Sequence, residues 1–460
     1  MNIVVCVKHV NGDINPFDAC ALECALQVEN ANITIISMGR KDVADMLQRL
    51  TRLGANRVIL LCDNAFAGAD TLATAYTLSL VIKKINPDLI FCGRQSIDGD
   101  TAQVGPCLAA TLNIPVITNA LEIKNISEGK IECATRCGDE ISNFPALVTI
   151  ERINTLRFPS LRSRAKDVEV LTAADIGADL NKCGLKGSPT RVLKTFENTI
   201  GRRKCKFIEP DGLKKAIKFG LSKPHNELVA ESSGVKLPLV WCVGDEPVTM
   251  AKTIADNIRV IEKGFPSEIA NLIKSGSPNV VLWDSGIWGR KTAPQVASML
   301  HTGLCADCTM LETDGEQLFM YRPALGGSIM AKIKCLTRPQ MATVRSSENK
   351  SEDVIVSVGL GATEYIESIK LWAKNNGYAF AASRALVDKG MAPYSCQIGL
   401  TGRAVSPKVY IAFGISGAVQ HTCGIEQAGM VIAINSDRNS RIWDYADYGI
   451  LTDIKNINFY

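Results

Sequence analysis

The chain is poor in histidine, in aromatic residues and in net charge. Its 460 residues include four histidines and 6% aromatics, and 51 basic against 47 acidic side chains leave a formal charge of +4. His9, His225, His301 and His421 lie far apart, so no histidine-based metal motif is present. The near balance of charge argues against nucleic acid as a partner, because such binding needs a concentrated basic face. No apolar run approaches the ~18–20 residues of a membrane span. The N-terminal stretch Met1–Lys8 has no basic region ahead of its apolar run and reads as a first strand, not a signal peptide. Apolar residues at 46% and charged residues at 21% exclude a disordered or fibrous chain. At roughly 150 residues per domain, the length predicts about three domains.

Cysteine is the exception to this scarcity. Sixteen are spread along the chain, and Cys6, Cys62, Cys92 and Cys242 sit inside apolar stretches. A disulfide framework would be short and cysteine-dense. These residues read instead as small buried hydrophobes in a reducing, cytoplasmic compartment. The pair Cys305/Cys308 has C-x-x-C spacing but no second pair, and it does not open a helix after a strand. It reads as structural, as do Cys20/Cys24 and Cys133/Cys137.

Ile3–Val7, Ile33–Ser37, Val58–Leu61 and Leu89–Cys92 are short apolar runs of strand type. Asp18–Glu29, Leu72–Ile85 and Thr101–Leu112 have helical spacing and alternate with them. This alternation predicts a parallel sheet with helices on both faces, binding ligands at the carboxyl ends of its strands. From Glu151 to Pro189 the periodicity is lost and Arg152, Arg157, Arg162, Arg164 and Lys166 cluster, which reads as an arm, a docking segment or a solvated linker. A second α/β unit follows, with strands Leu239–Val243 and Val280–Trp283, helices Thr249–Ile258 and Lys291–Leu300, and a bend at Gly326-Gly327 within Arg322–Met330. The last third has strands Val354–Val358, Tyr378–Ala382, Val409–Gly414 and Met430–Asn435, and a helix Glu364–Asn375. Gly359-Leu360-Gly361 and Gly414-Ile415-Ser416-Gly417-Ala418 each follow a strand. Such turns let backbone N–H groups approach a phosphate.

Longer motifs are more specific. Ala382-Ser383-Arg384-Ala385-Leu386-Val387-Asp388, Gln397–Arg403, Tyr410–His421, Ala433-Ile434-Asn435 and Ala446–Ile450 follow in an order and spacing that resemble the FAD domain of the electron transfer flavoprotein α subunit. Thr302–Thr309 and Arg338–Arg345 resemble that subunit's first domain. Asn15-Pro16-Phe17-Asp18, Gly68–Ala73 and Gly93–Gly105 resemble the β subunit. The chain therefore resembles a β–α fusion of this family. The resemblance implies two adenine-nucleotide-hydrolase-like parallel-sheet domains plus a C-terminal Rossmann-like FAD-binding domain, an α/β fold divided at 1–225, 226–345 and 346–460.

It also implies site residues. Arg384 would lie against the flavin ring, Thr401 would donate toward N5 and His421 would lie near O2. Ser383, Asn435 and Asp453 would contact the ribityl, phosphate or adenosine parts, and Ser416, Gly417, Ala418, Val419, Gln420 and His421 would form the pyrophosphate turn. Ile398, Gly399 and Leu400 complete this FAD set. Cys6, Asn15, Phe17, Asp18, Met38, Asp100, Thr101, Gln103, Val104 and Gly105 would hold AMP or a second FAD. Departures from the family pattern are Leu360 in place of an arginine, Leu400 in place of a glutamine, and the short turn Asn11-Gly12-Asp13-Ile14. The Arg157–Lys166 docking segment is shortened, and the α-like half, beginning near Glu227, lacks its usual first strand. The implied function is an electron carrier between a flavin dehydrogenase, for instance of acyl-CoA dehydrogenase type, and a downstream redox acceptor. One chain would stand for both subunits, a pseudo-heterodimer without a membrane segment. An NADH-oxidising bifurcating protein with two FADs and a non-redox nucleotide-binding scaffold are the alternatives.

Overall fold

A computed structural model describes residues 1–151, 154–197, 202–223, 234–345, 352–399 and 402–459. The chain forms two compact units. The first comprises Met1–Lys194, Ser233–Leu325 and Ala331–Val344; the second comprises Thr195–Ser232, Gly326–Met330 and Arg345–Tyr460.

The first unit holds a nine-stranded sheet. Its order is Glu169–Leu171, Arg57–Leu61, Asn32–Met38, Asn2–Cys6, Leu89–Gly93, Ala146–Ile150, Val116–Ser127, Lys130–Thr135 and Gly138–Asn143. The first seven strands run parallel, and the last two continue as antiparallel hairpins. The central strands are nearly continuous runs of Val, Ile and Leu because helices cover both faces. From Asn2–Cys6 the chain builds outward to Asn32–Met38 and Arg57–Leu61. It then returns to place Leu89–Gly93 on the opposite side of the first strand. That reversal is a topological switch point, where a crevice opens at the strand ends.

The same unit contains a five-stranded parallel sheet, ordered Ile258–Ile261, Val240–Val243, Val280–Asp284, Gln340–Val344 and Leu304–Cys308. The β-like and α-like parts of the sequence thus share one compact unit. Helices Val104–Leu112 and Ile287–Leu300 connect them: Cys107 Sγ lies 3.3 Å from the Pro294 carbonyl, and Thr111 Oγ1 lies 3.0 Å from Ser298 Oγ.

The second unit has a seven-stranded parallel sheet. Its order is Lys206–Phe207, Tyr448–Leu451, Met430–Asn435, Val409–Phe413, Val354–Val358, Ala379–Ser383 and Gln397–Ile398. Its switch point lies between Val354–Val358 and Val409–Phe413. Trp372 packs edge-on against Phe413 and Phe459 beneath the sheet. The helix Leu213–Ser222 buries Leu213, Ala216 and Ile217 in this core. A Cβ at Gly220 would come within 2.4 Å of Met430 Cε, so that helix rests directly on the sheet.

The structure departs from the sequence reading in five places. The arm up to residue 225 does not stay with the first domain; from Thr195 it belongs to the second unit. The segment after Glu151 is not merely a linker, since Glu169–Leu171 pairs with Ile59–Leu61 and closes a sheet edge. The helix expected from Thr101 starts at Val104, with Asp100 and Ala102 left-handed before it. The helix expected over Thr249–Ile258 ends at Ile254, and Ile258 instead opens a strand. Met430–Asn435 is not the last strand, because Tyr448–Leu451 follows. Glu227, where the α-like half was expected to begin, and His225 lie outside the described residues. Among the described residues no helix is long and apolar enough to cross a membrane.

Candidate functional sites

The first site opens where Cys6 and Cys92 end their strands. Asp18, in the first turn of helix Pro16–Leu26, ties the two strands together: its carboxylate accepts from the Lys8 N–H at 2.7 Å and the Gly93 N–H at 3.0 Å. A Cβ at Gly93 would fall 2.3 Å from Asp18 Oδ1, so only glycine admits this contact. Burial raises the Asp18 carboxyl to about 7, against the opposing backbone hydrogen bond from Lys8. Lys8 turns outward and pairs with Asp98 at 2.6 Å. The following hairpin, His9–Val10 with Asp13–Ile14, turns through Asn11 at φ 53° and Gly12 at φ 88°. This is the left-handed pair that an Asn-Gly two-residue turn uses.

A cavity of about 980 Å³ lies over these strand ends. That is the upper end of the roughly 300–1,000 Å³ usual for small-molecule sites. Seven of the residues implied by resemblance line it: Cys6, Asp18, Met38, Thr101, Gln103, Val104 and Gly105. Asn15, Phe17 and Asp100 do not line it; they are buried behind it. Asn15 donates to the Gln95 carbonyl at 2.9 Å and accepts from the Ile97 N–H at 3.2 Å, so it shapes the loop. Asp100 accepts from Gln95 Nε2 at 3.0 Å.

Two arginines in the cavity wall were missed in the sequence. Arg322 is 5% exposed and its Nη1 donates to the Gly99 carbonyl at 2.7 Å, while its Nε and Nη2 have no partner. Arg94 is 6% exposed and bonds Glu151 at 2.7 Å, and its Nε also lacks a partner. Buried guanidinium N–H groups without acceptors are costly unless an anion completes them. The wall therefore fits a phosphate-bearing ligand. The only sequence signal for Arg322 was its place beside Pro323 ahead of the Gly326-Gly327 bend.

The second site lies at the switch point of the seven-stranded sheet. Ser383 ends the strand Ala379–Ser383, and its buried Oγ has no partner. Arg384 follows, with Nε 3.2 Å from Asp388 Oδ2. Ile398 is buried in its short strand. Gly399 has φ 126°, and a Cβ there would meet the Gln420 carbonyl oxygen at 2.2 Å. Leu400 and Thr401 lie outside the described residues. Gly417 has φ 77°, and a Cβ there would meet the Ile442 nitrogen at 2.1 Å. Ser416, Ala418 and Gln420 are exposed, and Val419 is half-buried. The helix that follows, Val419–Thr422, is a single turn, so it offers little macrodipole.

Other expected residues face inward. His421 Nε2 lies 2.8 Å from Tyr410 Oη in the core. Burial lowers the His421 ring to about 4, against a backbone hydrogen bond at Ile398. Asn435 donates to the Ile415 carbonyl at 3.0 Å and to Ser440 Oγ at 3.1 Å, bracing the turn. Asp453 is exposed and caps the Lys455 N–H at 3.0 Å. Gly359 and Gly361 are used up in packing: the Gly361 N–H donates to the Gly414 carbonyl at 3.0 Å, leaving Leu360 exposed. The buried, unpartnered Ser383 hydroxyl, the glycines at 399 and 417 and the exposed turn from Ser416 fit a flavin nucleotide.

Residues 3–176 and 264–370 match the family described as electron transfer flavoprotein domain, and residues 349–426 match the electron transfer flavoprotein FAD-binding domain. The electron transfer flavoprotein subunit beta of Thermoanaerobacterium thermosaccharolyticum is 41% identical over 216 residues, covering 44% of this chain and 82% of that protein. Subunit alpha of the same organism is 34% identical over 285 residues, covering 49% of this chain and 86% of that protein. Protein FixA of Azorhizobium caulinodans is 33% identical over 271 residues, covering 50% of this chain and 93% of that protein.

Proposed function

Since this chain belongs to the electron transfer flavoprotein family and carries its FAD-binding domain, we propose that it is a single-chain electron carrier. It takes electrons from a flavin dehydrogenase, of acyl-CoA dehydrogenase type, and delivers them to a downstream redox acceptor. The observation that carries this reading is the coincidence of the FAD-domain match, residues 349–426, with the switch-point site of the second unit. Bound FAD supplies two-electron uptake and one-electron release. The protein's own groups bind and orient. Ser383 Oγ has a hydrogen bond to give, and Gly399 and Gly417 keep the backbone turns close. The Arg384 guanidinium carries a positive charge that favours added negative charge beside it. His421 stays neutral near pH 7, so it adds no positive charge to that of Arg384.

In the first unit, the cavity takes an adenine nucleotide, AMP or a second FAD. The buried, unpartnered N–H groups of Arg322 and Arg94 favour a phosphate-bearing ligand, and the volume favours the larger one. A second FAD would make the chain an NADH-oxidising, bifurcating protein. The sixteen free thiols fit a reducing, cytoplasmic setting. The β-like and α-like stretches of the sequence then stand for two subunits joined end to end.

The test is release and counting of nucleotides from the purified chain. One FAD with one AMP supports the simple carrier, and two FADs bleached by NADH support bifurcation. A colourless chain that cannot be reconstituted with FAD overturns both.

A further inference from the structure

Cys6 and Cys92 are register partners on adjacent parallel strands, the two strands that meet at the switch point of the nine-stranded sheet. Both belong to one packed cluster on the same sheet face, and both line the 980 Å³ cavity. Their side chains are close enough for Cys6 to raise the Cys92 thiol. Neighbouring strands run about 4.7–4.9 Å apart. That lies inside the roughly 4.4–6.8 Å Cα separation a disulfide accepts. We propose that Cys6 and Cys92 form a reversible thiol–disulfide site in the wall of this cavity.

The chemistry balances with a two-electron oxidant. Two S–H bonds break, one S–S bond forms, and two electrons and two protons pass to the oxidant. A peroxide leaves as two waters, and a small disulfide leaves as two thiols. Access is through the cavity, which admits small oxidants to side chains that solvent barely touches from outside. The Cys6 contact, then burial, holds the Cys92 thiol well above its usual range, so Cys92 rests as a protonated thiol.

The other cysteines are placed differently. Cys20 and Cys24 are buried one helical turn apart in the core and do not line the cavity. Cys62 and Cys305 also line it, but Cys62 follows a strand two places away from that of Cys6, and Cys308, the near neighbour of Cys305, is wholly buried and does not line it. Closing the Cys6–Cys92 bond would draw both sulfurs toward each other and lock the strand ends from which Lys8 and Gly93 reach Asp18. The oxidised cavity wall therefore differs from the reduced one.

The test is limited oxidation of the full chain with one equivalent of diamide, an azo oxidant, followed by alkylation of the remaining thiols and peptide mass mapping. The expected result is a Cys6–Cys92 cross-linked peptide that dominates every other pair and disappears on reduction. In Cys92→Ala, Cys6 should instead be recovered as a mixed disulfide when oxidised glutathione replaces diamide. The proposal is overturned if Cys6 and Cys92 stay alkylatable while another pair closes. It is equally overturned if Cys6 in the Cys92→Ala chain takes no glutathione. Neither readout depends on which nucleotide the cavity binds.

Discussion

Tyr410 Oη sits 2.8 Å from His421 Nε2, with both side chains fully out of water. Burial drives the two groups apart in acidity, raising the Tyr410 phenol and lowering the His421 ring to about 4. Both groups are therefore neutral near pH 7, and the hydrogen bond joins an uncharged phenol to an uncharged imidazole. The pair pins the turn after Ala418 to the strand Val409–Phe413.

Removing the Tyr410 hydroxyl should leave a buried imidazole nitrogen unsatisfied. We expect Tyr410→Phe to cost about 1–3 kcal/mol. Because the folded ring binds its proton more weakly than the usual 6.5, the unfolded chain takes up protons first as pH falls. His421 therefore supports stability above pH 6.5, and that support fades as pH drops toward 4, by about 3 kcal/mol in all. Hydrogen exchange of strand Val409–Phe413 at pH 7 and 4.5 checks this. His421→Gln should lose less protection on acidification than the unaltered chain.

Asp18 has the opposite sign. Its folded carboxyl titrates near 7 instead of 3.8, so its burial costs nothing while protonated. That favourable state is complete below pH 3.8 and is lost as pH rises through 7, a swing of about 4 kcal/mol. Asp18→Asn should flatten this part of the pH dependence. Exchange of the Gly93 and Lys8 amides, read between pH 4 and 8, should stop slowing on acidification in the variant. An unchanged slope would place the titration elsewhere.

The sheets were legible in the sequence because buried parallel strands are short runs of Val, Ile and Leu between helices of clear period. The hairpins Val116–Ser127 and Lys130–Thr135 were not, since their exposed alternation, with polar residues such as Lys124 and Glu132, resembles loop composition. The glycine turns were visible, but their division of labour was not: Gly359 and Gly361 pack against Gly414, a contact between segments more than 50 residues apart. Arg94 and Arg322 were invisible as site residues for the same reason, because burial of a guanidinium is decided by what folds over it. Twelve of the sixteen cysteines are buried as read, while Cys62, Cys205 and Cys396 are half-buried and Cys137 is exposed; the register that sets Cys6 beside Cys92 is a property of strand order.

Glu151 should be among the least replaceable residues of the first unit. It is 1% exposed and accepts from Arg94 at 2.7 Å and from Arg136 at 3.4 Å. Glu151→Gln would leave two buried guanidiniums facing a neutral amide. Breaking a buried pair in this way costs about 3–5 kcal/mol, more than the pair itself contributes. The double change Glu151→Gln with Arg94→Met should recover part of that loss. Urea midpoints of the three chains measure it, and a double variant no more stable than the single one would contradict the coupling.

Arg322 should show stability and binding pulling against each other. In the ligand-free chain its Nε and Nη2 are buried without acceptors, a cost that an apolar side chain of similar length avoids. Arg322→Met gives up the hydrogen bond to the Gly99 carbonyl but removes a desolvated charge, so the empty chain should be more stable by about 1 kcal/mol. The same change removes the donors an anion would complete. Charge-assisted hydrogen bonds are worth about 1.5–3 kcal/mol, so affinity for AMP should fall at least tenfold. Thermal unfolding without nucleotide and calorimetric titration with AMP read the two effects separately. A variant that binds AMP as the unaltered chain does would remove Arg322 from the site, whatever its stability.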